Sequence, residues 1–347
     1  MMKHLDAAEG IGDKFPSKFR YDIASGDWVV IASGRSKRPE TFKGKDREIS
    51  DPDDCPFCGD EAYRYLTHLI KDGKEIENPE SLEEGWSVAA IPNKFPAFIP
   101  EGELREERKG PYVRMNAVGF HEVIITEDHR KSIGKMEVGQ VEEIFKTYRS
   151  RFLKLKDEPN VNYISIFHNH GKGAGASIDH PHSQLITTPL VDVDVKNSLE
   201  VAADYMDEKE SCLYCDMQDW EMEEGERIVY ENDQFLVICP YASKVAFQTV
   251  ITPKKHRSRF EDISDEGLRL LADAFQKALS KIYKGVGNPD YNFYLHTAPC
   301  DGEDYDFYHW HWTIMPRTSA FAGFEFGAGM EISTIKPEIA AKHLKEI

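Results

Sequence analysis

The sequence predicts an α+β fold made of two fused, similar halves, antiparallel sheets with flanking helices. Three observations carry that expectation. A set of four features occurs twice in the same order, short apolar or alternating strands cluster together, and helical periodicity is confined to a few segments. The order is a Cys-x-x-Cys pair, a strand ending near a His, a second strand, and a His-x-His strand. In the first half these are Cys55 and Cys58, residues 120–126 leading to His129, residues 163–167, and His180-Pro181-His182. In the second they are Cys212 and Cys215, residues 247–252 leading to His256, residues 291–295, and His309-Trp310-His311. His129 and His180 are 51 residues apart and His256 and His309 are 53 apart, so the repeat keeps its length as well as its order. The halves divide at 1–195 and 196–347.

Further strands are expected at 28–32, 87–91, 184–188, 235–239 and 312–315, where apolar residues alternate or run together. Helices are expected at 138–155, 196–206, 264–283 and 337–346. Ser264-Asp265-Glu266 supplies an N-cap for the third of these. With strands clustered and helices few, antiparallel sheet with helices on one side is favoured over a parallel α/β arrangement. The acidic stretch 208–226 reads as a solvated surface interrupted by the second Cys pair. Segments 71–84 and 101–109 read as polar insertions peculiar to the first half.

A chain of 347 residues can bury one or two cores. Its net charge of −18 argues against a nucleic-acid polymer as partner, since binding one requires neutralising many phosphates. A small anionic substrate held by a local group of donors remains compatible with that charge. The first fifteen residues are polar and no apolar run reaches spanning length, so neither a signal peptide nor a membrane segment is expected, and the cytoplasm is the expected location.

The run Ser177-Ile178-Asp179-His180-Pro181-His182-Ser183-Gln184 carries the most chemistry. Alternate residues of a strand share a face, which aligns His180, His182 and Gln184. Upstream, Asn169-His170-Gly171-Lys172-Gly173-Ala174-Gly175 can offer backbone N–H groups to an anion. A nucleophilic imidazole at His182 beside a phosphate cradle points to phosphoryl or nucleotidyl transfer. The plainer alternative is a surface strand with chance histidines, and the repeat argues against it. Donors for the developing negative charge are the Gln184 amide, the Ser177 hydroxyl and the N–H groups of Gly171, Gly173 and Gly175.

Six cysteines in a chain of this kind do not read as a disulfide framework. A zinc ribbon joining the two pairs would need a far shorter spacing than the sequence gives. A redox pair would open a helix after a strand, whereas Cys55 follows the loop-like Ser50-Asp51-Pro52-Asp53-Asp54. The third reading gives each half a Cys₂His₂ zinc site, and it is favoured: Cys55, Cys58, His129 and His180, then Cys212, Cys215, His256 and His309. Four protein ligands close the coordination sphere, so such a zinc is structural. In the second half, His296 and His311 compete for a place among the ligands.

With these residues assembled, the chain resembles the galactose-1-phosphate uridylyltransferase branch of the histidine-triad superfamily. The resemblance rests on Arg35-Ser36-Lys37-Arg38-Pro39, Cys55-Pro56-Phe57-Cys58, Pro92-Asn93-Lys94-Phe95-Pro96-Ala97, 169–184, His309-Trp310-His311 and Ala322-Gly323-Phe324-Glu325. It implies two histidine-triad-like halves, a homodimer with an active site completed across the interface, and ping-pong uridylyl transfer through a covalent histidine, with a nucleotide sugar and a sugar 1-phosphate as substrates. It implies that Asn169, Ser177 and Gln184 contact phosphates and that Arg38 and Asn93 contact the nucleotide. Arg35 falls in the same binding motif, and the resemblance implies that Phe324 and Glu325 receive the hexose from the partner subunit. Taken without the resemblance, Arg38 reads as a solvated charge and Asn93 as a turn residue. Gln184 stands where the hydrolase branch carries a third histidine, which favours transfer over hydrolysis.

Three departures from the family pattern bear on substrate. Lys94 follows Asn93 where an acidic residue is common, Ala320 replaces a basic residue, and 321–327 also resembles the ADP-glucose phosphorylases, which transfer an adenylyl group to phosphate. In the second half Trp310 replaces Pro181 and Thr313 takes the place of Gln184, so His311 is not expected to be a second nucleophile. Hexose-1-phosphate uridylyltransferase, an adenylyl-transferring phosphorylase, and a zinc-stapled binding protein without turnover are the three functions weighed.

Overall fold

The computed structural model describes residues 17–32, 42, 49–82 and 84–347. In chain order the elements are β1 (Ser17–Asp22), β2 (Asp27–Ala32), β3 (His68–Lys71), β4 (Lys74–Glu77), β5 (Trp86–Pro92), β6 (Glu107–Lys109), β7 (Tyr112–Arg114) and β8 (His121–Thr126). Then come α1 (Val138–Leu155), β9 (Tyr163–His170), β10 (His182–Thr188), α2 (Val193–Lys209), α3 (Leu213–Glu224), β11 (Ile228–Glu231), β12 (Phe235–Ile238) and β13 (Thr249–Pro253). The chain ends with α4 (Asp265–Val286), β14 (Tyr291–His296), β15 (His311–Pro316), α5 (Gly323–Ala328), β16 (Ile332–Ser333) and α6 (Pro337–Lys345).

Eleven strands form one antiparallel sheet in the order β11-β12-β13-β15-β14-β9-β10-β8-β5-β3-β4. Apart from the terminal β4, the order is the same from either end: β11-β12-β13-β15-β14 repeats as β3-β5-β8-β10-β9. The two units meet at β9 and β14, where Asn292 pairs with Asn169, Phe293 with His168 and Tyr294 with Phe167. The fold is therefore α+β with two fused halves in which the sheet never breaks.

Alternation along β9 and β10 decides which side chains face which layer. Ile164, Ile166 and Leu185 point to a core shared with α1 and α4. Helix α1 contributes Val141, Ile144, Phe145, Tyr148, Phe152 and Leu155 at helical spacing. Helix α4 begins where Ser264 accepts a hydrogen bond from the Gly267 N–H (3.1 Å), and it ends at Gly287, whose φ is 78°. Across the two halves Phe145, Phe275 and Phe293 stack edge to face, with ring separations of 5.0 Å and 4.9 Å.

The helices are not confined to one side of the sheet as the sequence suggests. Helix α2 packs Val195, Leu199 and Ala202 against Tyr163, on the face opposite Ile164 and Ile166. Nor is 208–226 simply a solvated surface. Cys212 stands at the N-cap position of α3, and Leu213, Gln218 and Glu221 are buried along it, Glu221 paired with the buried Arg227 (2.9 Å). Acidic composition masks this stripe in the sequence. Segment 71–84 includes the β3–β4 hairpin, turned at Asp72 and Gly73 with φ of 49° and 73°, so part of the expected insertion is sheet edge.

Hairpin β1–β2 opens the described chain yet lies against the second half. Asp27 meets Lys244 (2.7 Å), Arg20 meets Glu338 (2.8 Å), and β16 pairs with β2. Among the described residues, no helix is long and apolar enough to cross a membrane.

Glu122 and Arg151, each 3% exposed, form a two-bond ion pair at 2.8 Å between β8 and α1. Breaking it by Glu122→Leu leaves a buried guanidinium only partly compensated by Glu77, and is expected to cost about 3–5 kcal/mol in urea unfolding. A loss below about 1 kcal/mol would show that the pair does not hold β8 to α1.

Candidate functional site

Two clusters of thiols and imidazoles form as the repeat requires. Cys55, Cys58, His129 and His180 come together in one, Cys212, Cys215, His256 and His309 in the other, with all ligand atoms of each within 4.8 Å of one another. The histidines are oriented in the same way throughout. Nε2–H of His180 donates to the Thr126 carbonyl (2.6 Å) and that of His129 to Ser50 (2.8 Å). In the second cluster, His309 donates to Pro253 (2.9 Å) and His256 to Asp306 (2.6 Å). Each Nδ1 lone pair therefore points at the cluster centre, the usual outer-shell support of a metal-binding imidazole.

The spacings fit an ion. Bond lengths of about 2.3 Å to sulfur and 2.05 Å to nitrogen at tetrahedral angles put S and N about 3.6 Å apart and two N about 3.3 Å apart. Cys55 Sγ lies 3.6 Å from His180 Nδ1, Cys58 Sγ 3.3 Å from His129 Nδ1, and the two Nδ1 atoms are 3.3 Å apart. In the second cluster Cys215 Sγ is 3.4 Å from His256 and 3.6 Å from His309. Burial pulls the His180 imidazole down to about 4, so it is neutral, the form that ligates. His311 stays outside the second cluster: its Nδ1 donates to the His309 carbonyl (3.1 Å) and its ring stacks on His296 at 4.7 Å.

Two residues beyond His180, His182 opens β10. Its Nδ1–H donates to the His180 carbonyl (2.8 Å), which places the lone pair on Nε2. Burial lowers its pKa, keeping the ring neutral, and the Phe57 ring from the Cys-x-x-Cys loop packs edge-on at 5.1 Å. Behind the strand, Ser183 Oγ bonds Tyr148 Oη and His168 Nδ1, fixing β10 from the core side.

Gln184 is oriented by a residue whose role the sequence does not signal. The Ala97 N–H donates to Nδ1 of His121 (3.1 Å), so that nitrogen carries the lone pair and Nε2 carries the proton. Nε2–H then donates to Gln184 Oε1 (2.9 Å), turning the amide NH₂ outward. Asn93 Nδ2 also lies 3.1 Å from His121 Nε2, but two donors cannot bond; its Oδ1 is held by the Phe95 N–H (2.9 Å), and its NH₂ stays available. Asn169 is treated likewise: Asn292 Nδ2 donates to its Oδ1 (2.7 Å), and Arg317 Nε holds Asn292 (2.6 Å). Three carboxamides thus have their oxygens occupied and their NH₂ groups left over.

The glycine turn contributes less than its sequence suggests. Gly171 and Gly175 do take positive φ, 85° and 87°. However, Gly173 N–H donates to Asp290 Oδ2 (2.6 Å), Ala174 and Ala176 N–H to the Gly171 carbonyl, and Gly175 N–H to Lys172. The turn closes on itself, so donors for an anion come mainly from side chains, including the exposed Ser177. Phe324 (51% exposed) and Glu325 lie on the surface helix α5, where Glu325 Oε2 accepts from the Ala322 N–H (2.9 Å). Arg35 and Arg38 lie outside the described residues.

Two repeated halves on one continuous eleven-stranded sheet, each with a cluster that could hold a metal ion, and one imidazole flanked by oriented amides define a nucleotidyltransferase-like protein. The N-terminal domain description of galactose-1-phosphate uridyl transferase matches residues 12–192 and the C-terminal one residues 198–346. The chain belongs to the galactose-1-phosphate uridyl transferase family, a family of nucleotidyltransferases. It is 29% identical to the ADP-glucose phosphorylase of Arabidopsis thaliana, over 99% of this chain and 97% of that one. It is 26% identical to the galactose-1-phosphate uridylyltransferase of Thermotoga maritima, over 95% of this chain and 98% of that one. Among solved structures, the A. thaliana ADP-glucose phosphorylase with bound ADP-glucose superposes with a TM-score of 0.77 at 25% identity, covering 95% of this chain and 99% of that one.

Elemental analysis of the purified chain is expected to find about two metal equivalents, one per cluster. Cys58→Ser and Cys215→Ser are each expected to lose one equivalent and to lower Tm. Retention of both equivalents in either variant would show that its cluster is not the site.

Proposed function

We propose that the chain moves a uridylyl group between UDP-glucose and galactose 1-phosphate through a covalent nucleotidyl intermediate on His182. The observation that carries this reading is the His182 tautomer: with Nδ1–H committed to a carbonyl, the Nε2 lone pair is held on a braced strand beside the outward NH₂ of Gln184. In the first step Nε2 attacks the α-phosphorus, the bond to the β-phosphate oxygen breaks, and glucose 1-phosphate leaves with the electron pair. In the second, a phosphate oxygen of galactose 1-phosphate attacks the same phosphorus and the P–N bond breaks, returning its pair to Nε2. The amides of Gln184, Asn169 and Asn93, with the Ser177 hydroxyl, supply hydrogen bonds to phosphoryl oxygens without having to reorient. An amide cannot protonate a leaving group as an imidazolium would, which favours transfer over hydrolysis.

A second reading, transfer of an adenylyl group from ADP-glucose to phosphate, is favoured by Ala320 and the 321–327 segment and by the phosphorylase relative. Both readings use the same His182 chemistry and differ in base and acceptor. We infer also that both clusters hold zinc, since two thiolates and two imidazoles suit that ion and four protein ligands leave it no open position for water. Zinc then supplies rigidity, tying the loop that carries Phe57 to the strand that carries His182. The exposed Phe324 and Phe326 fit a homodimer in which this segment completes the partner's hexose site. The cytoplasm, where thiols stay reduced, suits six unpaired cysteines.

Intact mass after incubation with UDP-glucose, quenched without acid, is expected to rise by one uridylyl group and to stay unchanged in His182→Ala. A gain with ADP-glucose alone would select the adenylyl reading, and a gain persisting in His182→Ala would overturn the nucleophile. His121→Phe removes the donor that turns Gln184 while leaving His182 intact, and is expected to lower kcat by about 10–100-fold with a smaller change in KM. Unaltered kcat would show that the amide orientation is not used.

A further inference from the structure

A cavity of about 700 Å³ lies over the sheet face that carries His311, Thr313 and Tyr294, and residues of both halves line it, Phe167 and Asn169 of β9 among them. Its position repeats the site in the first half. Trp312 pairs with Leu295 and Ile251 as Ser183 pairs with His168 and Ile124, so His311 corresponds to His182 and Thr313 to Gln184. The local packing is repeated too. His311 Nδ1–H donates to the His309 carbonyl as His182 does to His180, and Tyr214, from the second Cys-x-x-Cys, lies 5.4 Å from the His311 ring as Phe57 lies 5.1 Å from His182.

The phosphate end has not been kept. Where the first half has the 171–175 glycine turn between its two strands, the second has Asp301, Gly302, Glu303, Asp304 and Asp306. Thr313 offers no amide, and the carboxylates of Asp22 and Asp194 line the cavity. Lys244 is engaged by Asp27 (2.7 Å), and Arg317 Nε by Asn292. An anion would meet like charge here. The rest of the space remains: its volume falls in the range of small-molecule sites, and aromatic rings of Phe167 and Tyr294 lie on its floor. Gln218, 5% exposed, is among the lining residues and donates from Nε2 to the Lys254 carbonyl (3.0 Å), which fixes its side chain at the cavity wall. The acidic lining of Asp22 and Asp194 favours a ligand that donates hydrogen bonds.

We propose that this cavity is a second ligand site, selective for a nucleoside without its phosphates. The planar base lies along the aromatic floor, and the ribose hydroxyls donate to the carboxylates of Asp22 and Asp194. This rests on the reading of the first half as a nucleotide site, of which the second would be a copy that has lost its phosphate end.

The test is calorimetric titration of the full chain with uridine and with adenosine, beside the corresponding 5′-monophosphates. One nucleoside is expected to bind, with at least tenfold weaker binding in Asn197→Trp, which fills the cavity from its exposed rim, and in Asp194→Leu, which removes an acceptor. His182→Ala is expected to keep the binding, and the monophosphate not to compete for it. Folding of each variant is checked by its melting curve. Absence of nucleoside binding at millimolar concentration, or affinity unchanged in both cavity variants, would overturn the proposal. Because formation of the His182 adduct is read separately by mass, an adduct without nucleoside binding would sink this inference alone. No adduct would instead count against the reading of the first half.

Discussion

The His180 imidazole is held at both nitrogens, and the strand that carries His182 depends on that restraint. Nε2–H is anchored on the Thr126 carbonyl while Nδ1 joins the cluster with Cys55, Cys58 and His129. The ring therefore connects the end of β8, the Cys-x-x-Cys loop and the start of β10. Its own carbonyl then accepts the His182 Nδ1–H, so the restraint is passed two residues along and decides which nitrogen of His182 carries the lone pair. A free imidazole divides its population between tautomers; here one is selected by backbone geometry before any ligand arrives.

The polar groups around His182 follow one rule. Each carboxamide has its oxygen tied by a neighbour, and its NH₂ faces outward: Gln184 through His121, Asn169 through Asn292, Asn93 through the Phe95 N–H. Electrostatic stabilisation works best when donors need not reorient as charge develops. The chain carries a net charge of −18, so a field of basic residues does not supply that stabilisation globally. Local, aimed dipoles are the means by which an acidic protein can favour a phosphate at one point.

Much of this was legible in the sequence, for identifiable reasons. The cysteine and histidine clusters could be read because few residue types gather in that pattern and the repeat states each member twice. The alternation of His180, His182 and Gln184 could be read because a strand has period two. His121 could not, because its role depends on cross-strand register and on the Ala97 N–H reaching its ring. Arg317 and Asn292 act on Asn169 from more than a hundred residues away, for which a single sequence holds no signal. The glycine turn was misleading in a different way: glycine reports that positive φ is allowed, not where the freed N–H groups point, and here they point inward. Helix α3 was obscured because its buried stripe includes Gln218 and Glu221, polar residues that composition assigns to solvent.

The two halves show how one frame supports unequal chemistry. Strand order, cluster geometry and the His-to-carbonyl bond are common to both, so none of them alone separates His182 from His311. The differences lie in what surrounds the second imidazole of each pair. Beside His182 stands an amide turned to donate; beside His311 stand Thr313 and the His296 ring, near an acidic loop. A nucleophile is useful only where the charge it creates can be stabilised, and beside His311 a hydroxyl stands in place of the oriented amide. Retaining the cluster there still has a physical purpose. Cys212 stands at the N-cap position of α3, Cys215 extends from its first turn, and His256 and His309 flank the strands β13 and β15. An ion at that place would fix α3 over the sheet and so hold the cavity open, whatever occupies it.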